Sequence, residues 1–233
     1  MSGTSAPADV LADLWARGGL PAEALAQARL TGADPVFPSS FPVGTAAQTT
    51  VAAAALAACE LGHLRGMPRQ RVEVDMTAAA VEATGWFSLD GVAPELWDAF
   101  SGLYRCADGH VRIHANFAHH REGALRLLGL DPAKAKRADV ETALLGWRAL
   151  DFENAAAERG LVATALRGFD DWDATPQGQA LRTQPLFTIE RTGDAPPLRL
   201  PALAAEDLTR PLAGARVLDL TRILAGPVGG RPR

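Results

Sequence analysis

The sequence predicts an α/β fold, and three observations carry that expectation. Residues 71–75 alternate apolar Val72 and Val74 with charged Arg71, Glu73 and Asp75, the period of a strand with one buried face. Residues 45–64 are Ala-dense and free of glycine until Gly62, which favours a long helix. Val217, Leu218 and Leu220 form a short apolar run closed downstream by Gly226-Pro227, the pattern of a strand feeding the first βα turn of a nucleotide-binding unit.

The remaining elements follow in chain order. Residues 9–17 read as a short helix stopped by Gly18-Gly19, and residues 21–30 as a second, opened by a proline in its first turn and stopped near Gly32. Residues 33–42 carry three prolines and two serines, so they form a loop. A short helix is expected over 77–84. Residues 103–105 and 110–114 read as two strands joined at Asp108-Gly109, a dipeptide suited to a tight left-handed turn, with Val111 and Ile113 on the core face. Helices are expected over 119–128, about 134–147, 151–159 with Gly160 as C-cap, and 170–181. Residues 161–166 and 186–190 are strand candidates. Residues 194–211, with four prolines, read as an extended linker.

Composition narrows the function classes. A chain of 233 residues that is 48% apolar can bury a substantial core. A net charge of −4 and a pI near 5.7 argue against nucleic acid or an anionic membrane as partner, either of which calls for a basic patch. Cys59 and Cys106 have no CxxC spacing and read as reduced core thiols. The first residues lack the cationic and apolar regions of a secretory signal, and the apolar run 49–61 contains Glu60 and falls short of the roughly 20 residues of a membrane helix. A cytoplasmic protein is expected.

Residues 211–231 carry a resemblance of high specificity. Leu212, Gly214, Val217, Leu218, Asp219, Leu220, Thr221, Arg222, Leu224, Ala225, Gly226 and Pro227 fill a Leu-x-Gly-x-x-Val-Leu-Asp-Leu-Thr-Arg-x-Leu-Ala-Gly-Pro string. That string resembles the opening of the large domain in family III CoA-transferases (CaiB/BaiF-type), which include alpha-methylacyl-CoA racemases. The middle of the chain resembles what normally follows. The Ala-rich helix runs into Arg69, Gln70, Arg71, Val72, Glu73, Val74 and Asp75, similar to the family's Arg-x-Arg-Thr-Gly-x-Gly-Gln-x-Val-Asp-Val block, and residues 103–109 resemble its Tyr-x-Thr-x-Asp-Gly hairpin.

The resemblance implies Rossmann-type large-domain pieces plus a small α/β domain, incomplete and out of order. Residues 1–37 form a helical preface, 38–100 the latter part of a large domain, 101–193 the small domain and return segment, 194–211 the linker, and 212–233 the start of a second large domain. A truncated tandem protein accounts for this order, with a circular rearrangement as the competing reading. The family's interlocked dimer implies a homodimer or a CoA-transferase partner chain.

The resemblance also implies the chemistry. In this family an aspartate at the N-terminus of the Ala-rich helix attacks an acyl-CoA thioester, giving an acyl anhydride and then an aspartyl-CoA thioester. Counting back from Gln70 puts Thr45 in that place, and a hydroxyl would give a stable ester instead of an exchangeable anhydride. No Asp or Glu lies between Pro35 and Cys59, so the chain is expected to hold no catalytic residue, with Thr45 serving as N-cap of a helix beginning at Ala46. CoA or acyl-CoA is the implied substrate, with no covalently bound cofactor, and Arg222, Leu224 and Ala225 match the CoA contacts. No metal site is expected: His110 and His114 would lie about 13 Å apart on a strand, and His119 and His120 diverge on a helix. Trp86, Trp97, Trp147 and Trp172 read as core or interface anchors. A non-catalytic partner of a CoA-transferase and a nonfunctional fragment are the alternatives to an acyl-CoA transferase.

Overall fold

A computed structural model of the chain describes residues 5–196, 200–207 and 209–230. Expectations for residues 197–199, 208 and 231–233 lie outside the described residues. The chain divides into two units, Met1–Trp86 with Pro185–Arg233, and Phe87–Gln184.

In the first unit, α1 (Pro7–Arg17) buries Leu11 and Trp15, four residues apart on one face, and the Trp15 indole donates to the Pro21 carbonyl at 2.8 Å. Residues 21–30 depart from the expected helix. They form a 3-10 turn (Ala22–Gln27) and then strand β1 (Ala28–Thr31), which pairs in parallel with β2 (Val72–Asp75) in the register Ala28↔Val72 to Thr31↔Asp75. The deciding partner lies more than 40 residues away, so local propensity could not reveal it. Between the strands runs α2 (Val43–Leu64), which buries Gln48, Ala52, Leu56 and Glu60 at a spacing of four. The eight-residue helix α3 (Met76–Ala83) follows β2 directly, capped by the Asp75 carboxylate on the Ala78 N–H at 3.0 Å. Leu11, Trp15, Ala24, Ala52, Leu56, Val72, Val74 and Ala79 make one apolar core.

The second unit is built on an antiparallel sheet in the order β3 (Gly102–Arg105), β4 (His110–Ile113), β5 (Ala163–Ala165). Val111 and Ile113 face the core as expected. The connection differs from the expected left-handed turn: residues 106–109 form a four-residue loop in which neither Asp108 nor Gly109 has a positive φ. Asp108 is used otherwise, accepting the Ala149 N–H at 2.7 Å and Arg148 Nε at 3.0 Å at the start of α6 (Ala149–Ala157). Helices α4 (Ala118–Leu127), α5 (Arg137–Leu144) and α6 cover the sheet, with Leu125, Val140, Leu144 and Phe152 in its core. The helix expected over 170–181 is two, α7 (Phe169–Asp173) and α8 (Pro176–Arg182), because Pro176 cannot continue a helix and Thr175 caps the new one.

Two expected strands do not form. Residues 186–190 have no regular structure, and neither do residues 217–220, where Leu218 and Leu220 are 82% and 85% exposed. A parallel strand needs neighbours on both its edges and its faces. A six-residue helix, α9 (Ala225–Gly230), ends the described chain. Of the expected tryptophan anchors, Trp147 packs on the core while Trp86, Trp97 and Trp172 are exposed. Cys106 is buried and Cys59 half-buried, both free.

Phe152, fully buried between the sheet and α6, is the largest single contribution from that helix. Phe152→Ala should destabilise the protein by about 3–5 kcal/mol, read by chemical denaturation.

Candidate functional site

The site expected from sequence lies where both strands of the parallel sheet end and α2 begins. In α/β proteins the carboxyl ends of parallel strands and the N-termini of the following helices are where ligands gather, because unpaired main-chain N–H groups point there. Here those groups are already taken. Asp34, from the loop after β1, accepts the N–H of Gly44 on Oδ1 at 3.0 Å, and on Oδ2 both the N–H of Thr45 at 2.8 Å and its hydroxyl at 2.6 Å. These hydrogen bonds hold the Asp34 carboxyl below its usual range, the Thr45 hydroxyl contributing most and partial burial opposing it.

Thr45 is therefore not the N-cap of a helix starting at Ala46. The helix starts two residues after Phe41, at Val43, and Thr45 occupies its third position, its side chain turned to Asp34. Gly44 has no side chain for a steric reason: a Cβ there would run into Asp34 Oδ1 and come within 2.8 Å of Met76 Sδ. Gln48, one turn further on and fully buried, donates through Nε2 to the Thr31 carbonyl at 2.7 Å and the Val74 carbonyl at 2.9 Å, tying α2 to the ends of both strands. Thr31 completes the group by donating to Asp75 at 3.2 Å. Asp34 and Gln48 were missed in the sequence. The signal for Asp34 is the Asp34-Pro35 step before the helix, a turn and capping pattern one residue upstream of the acid-free stretch from Pro35 to Cys59.

The residues that the resemblance leads one to expect as CoA contacts lie elsewhere. Arg222, Leu224 and Ala225 are exposed, on the stretch that enters α9, with Leu224 73% accessible. Just before them Asp219 accepts both the N–H and the hydroxyl of Thr221.

Three of the four histidines of the second unit, His114, His119 and His120, form an aromatic cluster. His119 and His120 have ring centroids 4.0 Å apart, Phe117 lies 5.9 and 5.7 Å from them, and His114 sits between Phe117 at 6.3 Å and Trp97 at 5.7 Å. Nδ1 of His114 and of His120 are buried without a partner. Among the described residues no three His, Cys, Asp or Glu side chains are placed to hold a metal ion.

With this geometry in view, comparison with known proteins locates the chain. No family model matches it. An acyl-CoA transferase of Gibberella moniliformis is 25% identical over 222 residues, which are 81% of this chain and 39% of that one. The chain's α/β architecture also resembles crystal structures of a hypothetical protein, Rv3272, of Mycobacterium tuberculosis. One matches with a TM-score of 0.50 at 19% identity over 77% of this chain and 52% of that chain, another with 0.50 at 19% over 87% and 60%. The chain thus spans between two-fifths and three-fifths of the length of the relatives it matches. No helix among its described residues is long and apolar enough to cross a membrane.

Two outcomes follow from the charges. Asp34→Asn should cost about 1 kcal/mol of stability at neutral pH, the usual worth of a capping acceptor. Because the folded carboxyl sits below its ordinary 3.8, the difference between wild type and variant should persist above that pH and vanish as the pH falls through the folded value, which paired urea titrations would show. His120 is held below its ordinary 6.5 by burial first and by His119 and His114 second. The unfolded ring then takes up its proton first, so the unfolding midpoint should drop as pH falls below 6.5, and His120→Gln should flatten that dependence in thermal scans.

Proposed function

We propose that this chain is a non-catalytic part of an acyl-CoA transferase system, one that contributes to CoA binding and leaves the nucleophilic carboxylate to another polypeptide or region. The relationship to an acyl-CoA transferase supports CoA and acyl-CoA as the small-molecule substrates. One observation carries the non-catalytic half of the reading: the place where resemblance puts the nucleophile holds Thr45, and the nearest carboxylate, Asp34, has both oxygens committed to the N-terminus of α2.

A transferring carboxylate must be free to attack the thioester carbonyl as the CoA thiolate leaves, forming an anhydride that the thiolate can reopen. Asp34 would have to give up three hydrogen bonds and uncap a 22-residue helix to do so. The Thr45 hydroxyl donates its proton to Asp34, which could serve as its base, yet acylation of that oxygen would stop at an ester. Arg222 on its exposed stretch suits a phosphate or carboxylate of the ligand.

The test is an exchange assay between an acyl-CoA and a free carboxylic acid, paired with calorimetric titration of CoA. The chain should bind CoA and give no exchange, and Arg222→Ala should weaken binding several-fold. Thr45→Asp should not create activity, since it sets a second carboxylate against Asp34. Exchange by the wild-type chain that Asp34→Asn abolishes would overturn the reading and make Asp34 the nucleophile.

A further inference from the structure

The C-terminal end of α2 carries a feature that the reading above does not use. Arg65, the last residue capping that helix, is 6% exposed, and its guanidinium is satisfied by three main-chain carbonyls: Nε on Pro201 at 2.9 Å, Nη1 on Pro211 at 2.6 Å and Nη2 on Ala213 at 2.8 Å. Its own carbonyl accepts the Leu203 N–H at 3.1 Å. Gly62, one turn earlier, lies beside Met67 and Pro211: a Cβ there would come within 2.6 Å of Met67 Sδ and stand in ordinary contact, 3.4 Å, with the Pro211 Cβ. Four hydrogen bonds therefore fasten Pro201, Leu203, Pro211 and Ala213 to the end of α2.

We propose that Arg65 is a positioning residue that clasps this segment and so sets where the CoA-contact stretch at residues 222–225 begins, an inference that rests on the CoA-binding reading above. The chemistry selects arginine. A buried guanidinium without carboxylate partners is tolerable where carbonyl dipoles surround it and a helix C-terminus presents its negative end. Five donors in a planar fork reach carbonyls on separate turns, which an ammonium cannot. Arg65 is buried where the segment, itself largely exposed, crosses it: release of Pro201, Pro211 and Ala213 would leave their three carbonyls and the guanidinium to water.

The consequence is one of reach. From Ala213 to Arg222 is nine residues, a tether of about 30 Å at most, and α2 with 22 residues is about 33 Å long. Clasped, the stretch can just run back toward the Thr45 end of the helix. Released as far as Leu200, the tether grows to 22 residues, and its effective concentration at a ligand shared with the body of the unit falls about fourfold by the three-halves power of length.

Amide hydrogen exchange and CoA titration on the whole chain test this with Arg65→Lys, Arg65→Met and Leu203→Pro, the last leaving the guanidinium intact and removing one donor to the clasp. The expected result is at least tenfold faster exchange of residues 200–207 and 209–213 in Arg65→Met, a smaller change in Arg65→Lys, CoA binding weakened about fourfold, and amide protection in β3 to β5 unchanged. Unchanged exchange of the segment in Arg65→Met and Leu203→Pro would overturn the clasp. Faster exchange with unaltered CoA affinity would overturn the positioning role. Absence of CoA binding by the wild-type chain would sink both the positioning role and the CoA reading, while the exchange data would still decide the clasp.

Discussion

A carboxylate at the head of α2 is the constraint from which the first unit follows. A helix of 22 residues leaves its first N–H groups without partners and adds a partial positive charge at that end, and the end here is half-buried against the strands. Asp34 supplies the acceptors and the opposite charge. With the start of α2 fixed, Gln48 lies one turn in, where its amide reaches the carbonyls at the ends of β1 and β2. Two parallel strands alone would be a poor sheet; the helix that bridges their ends keeps them in register.

The other end of α2 is fixed by different chemistry. Glu60, almost fully buried, receives both Nε and Nη2 of Arg69 at 2.9 and 3.0 Å, so its charge is paired in the bidentate geometry that offsets desolvation. Arg65 meets carbonyls instead. Anion at the head and cations at the tail is the arrangement the helix dipole favours, and both come from residues outside the regular core of the helix.

Much of this was legible in the sequence, and the exceptions have a common cause. The Ala-rich helix, the strand at Val72 and Val74, and the hairpin face of Val111 and Ile113 are periodic and were readable residue by residue. Strand β1 was not, since Ala28 and Leu30 become a strand only by pairing with Val72 and Val74. Asp108 next to Gly109 looked like a turn former because the chain position of its real partner, Ala149, is invisible in a local pattern. At the site, Thr45 was found by counting and Asp34 was not, although they share a hydrogen bond. The proline content of residues 194–211 announced an extended conformation but could not announce Arg65, whose bonds to it cross more than 130 residues. Val217 to Leu220 differ in the opposite direction: the strand pattern is present, and among the described residues no strand pairs with it.

On the proposed reading, the head of α2 accounts for a chain similar to an acyl-CoA transferase that lacks the nucleophile and keeps the helix. In the family it resembles, an aspartate at this helix start is both a reactive group and a negative charge in a place that favours one. On that reading a threonine in its place removes the reactive carboxylate and would leave the helix end short of an anion. Asp34 supplies a negative charge from the neighbouring loop, and the Thr45 hydroxyl donates to it. On the proposed reading the two positions form one electrostatic unit in which stability has been kept and reactivity given up. The same three bonds that keep Asp34 ionised keep it from reaching a thioester.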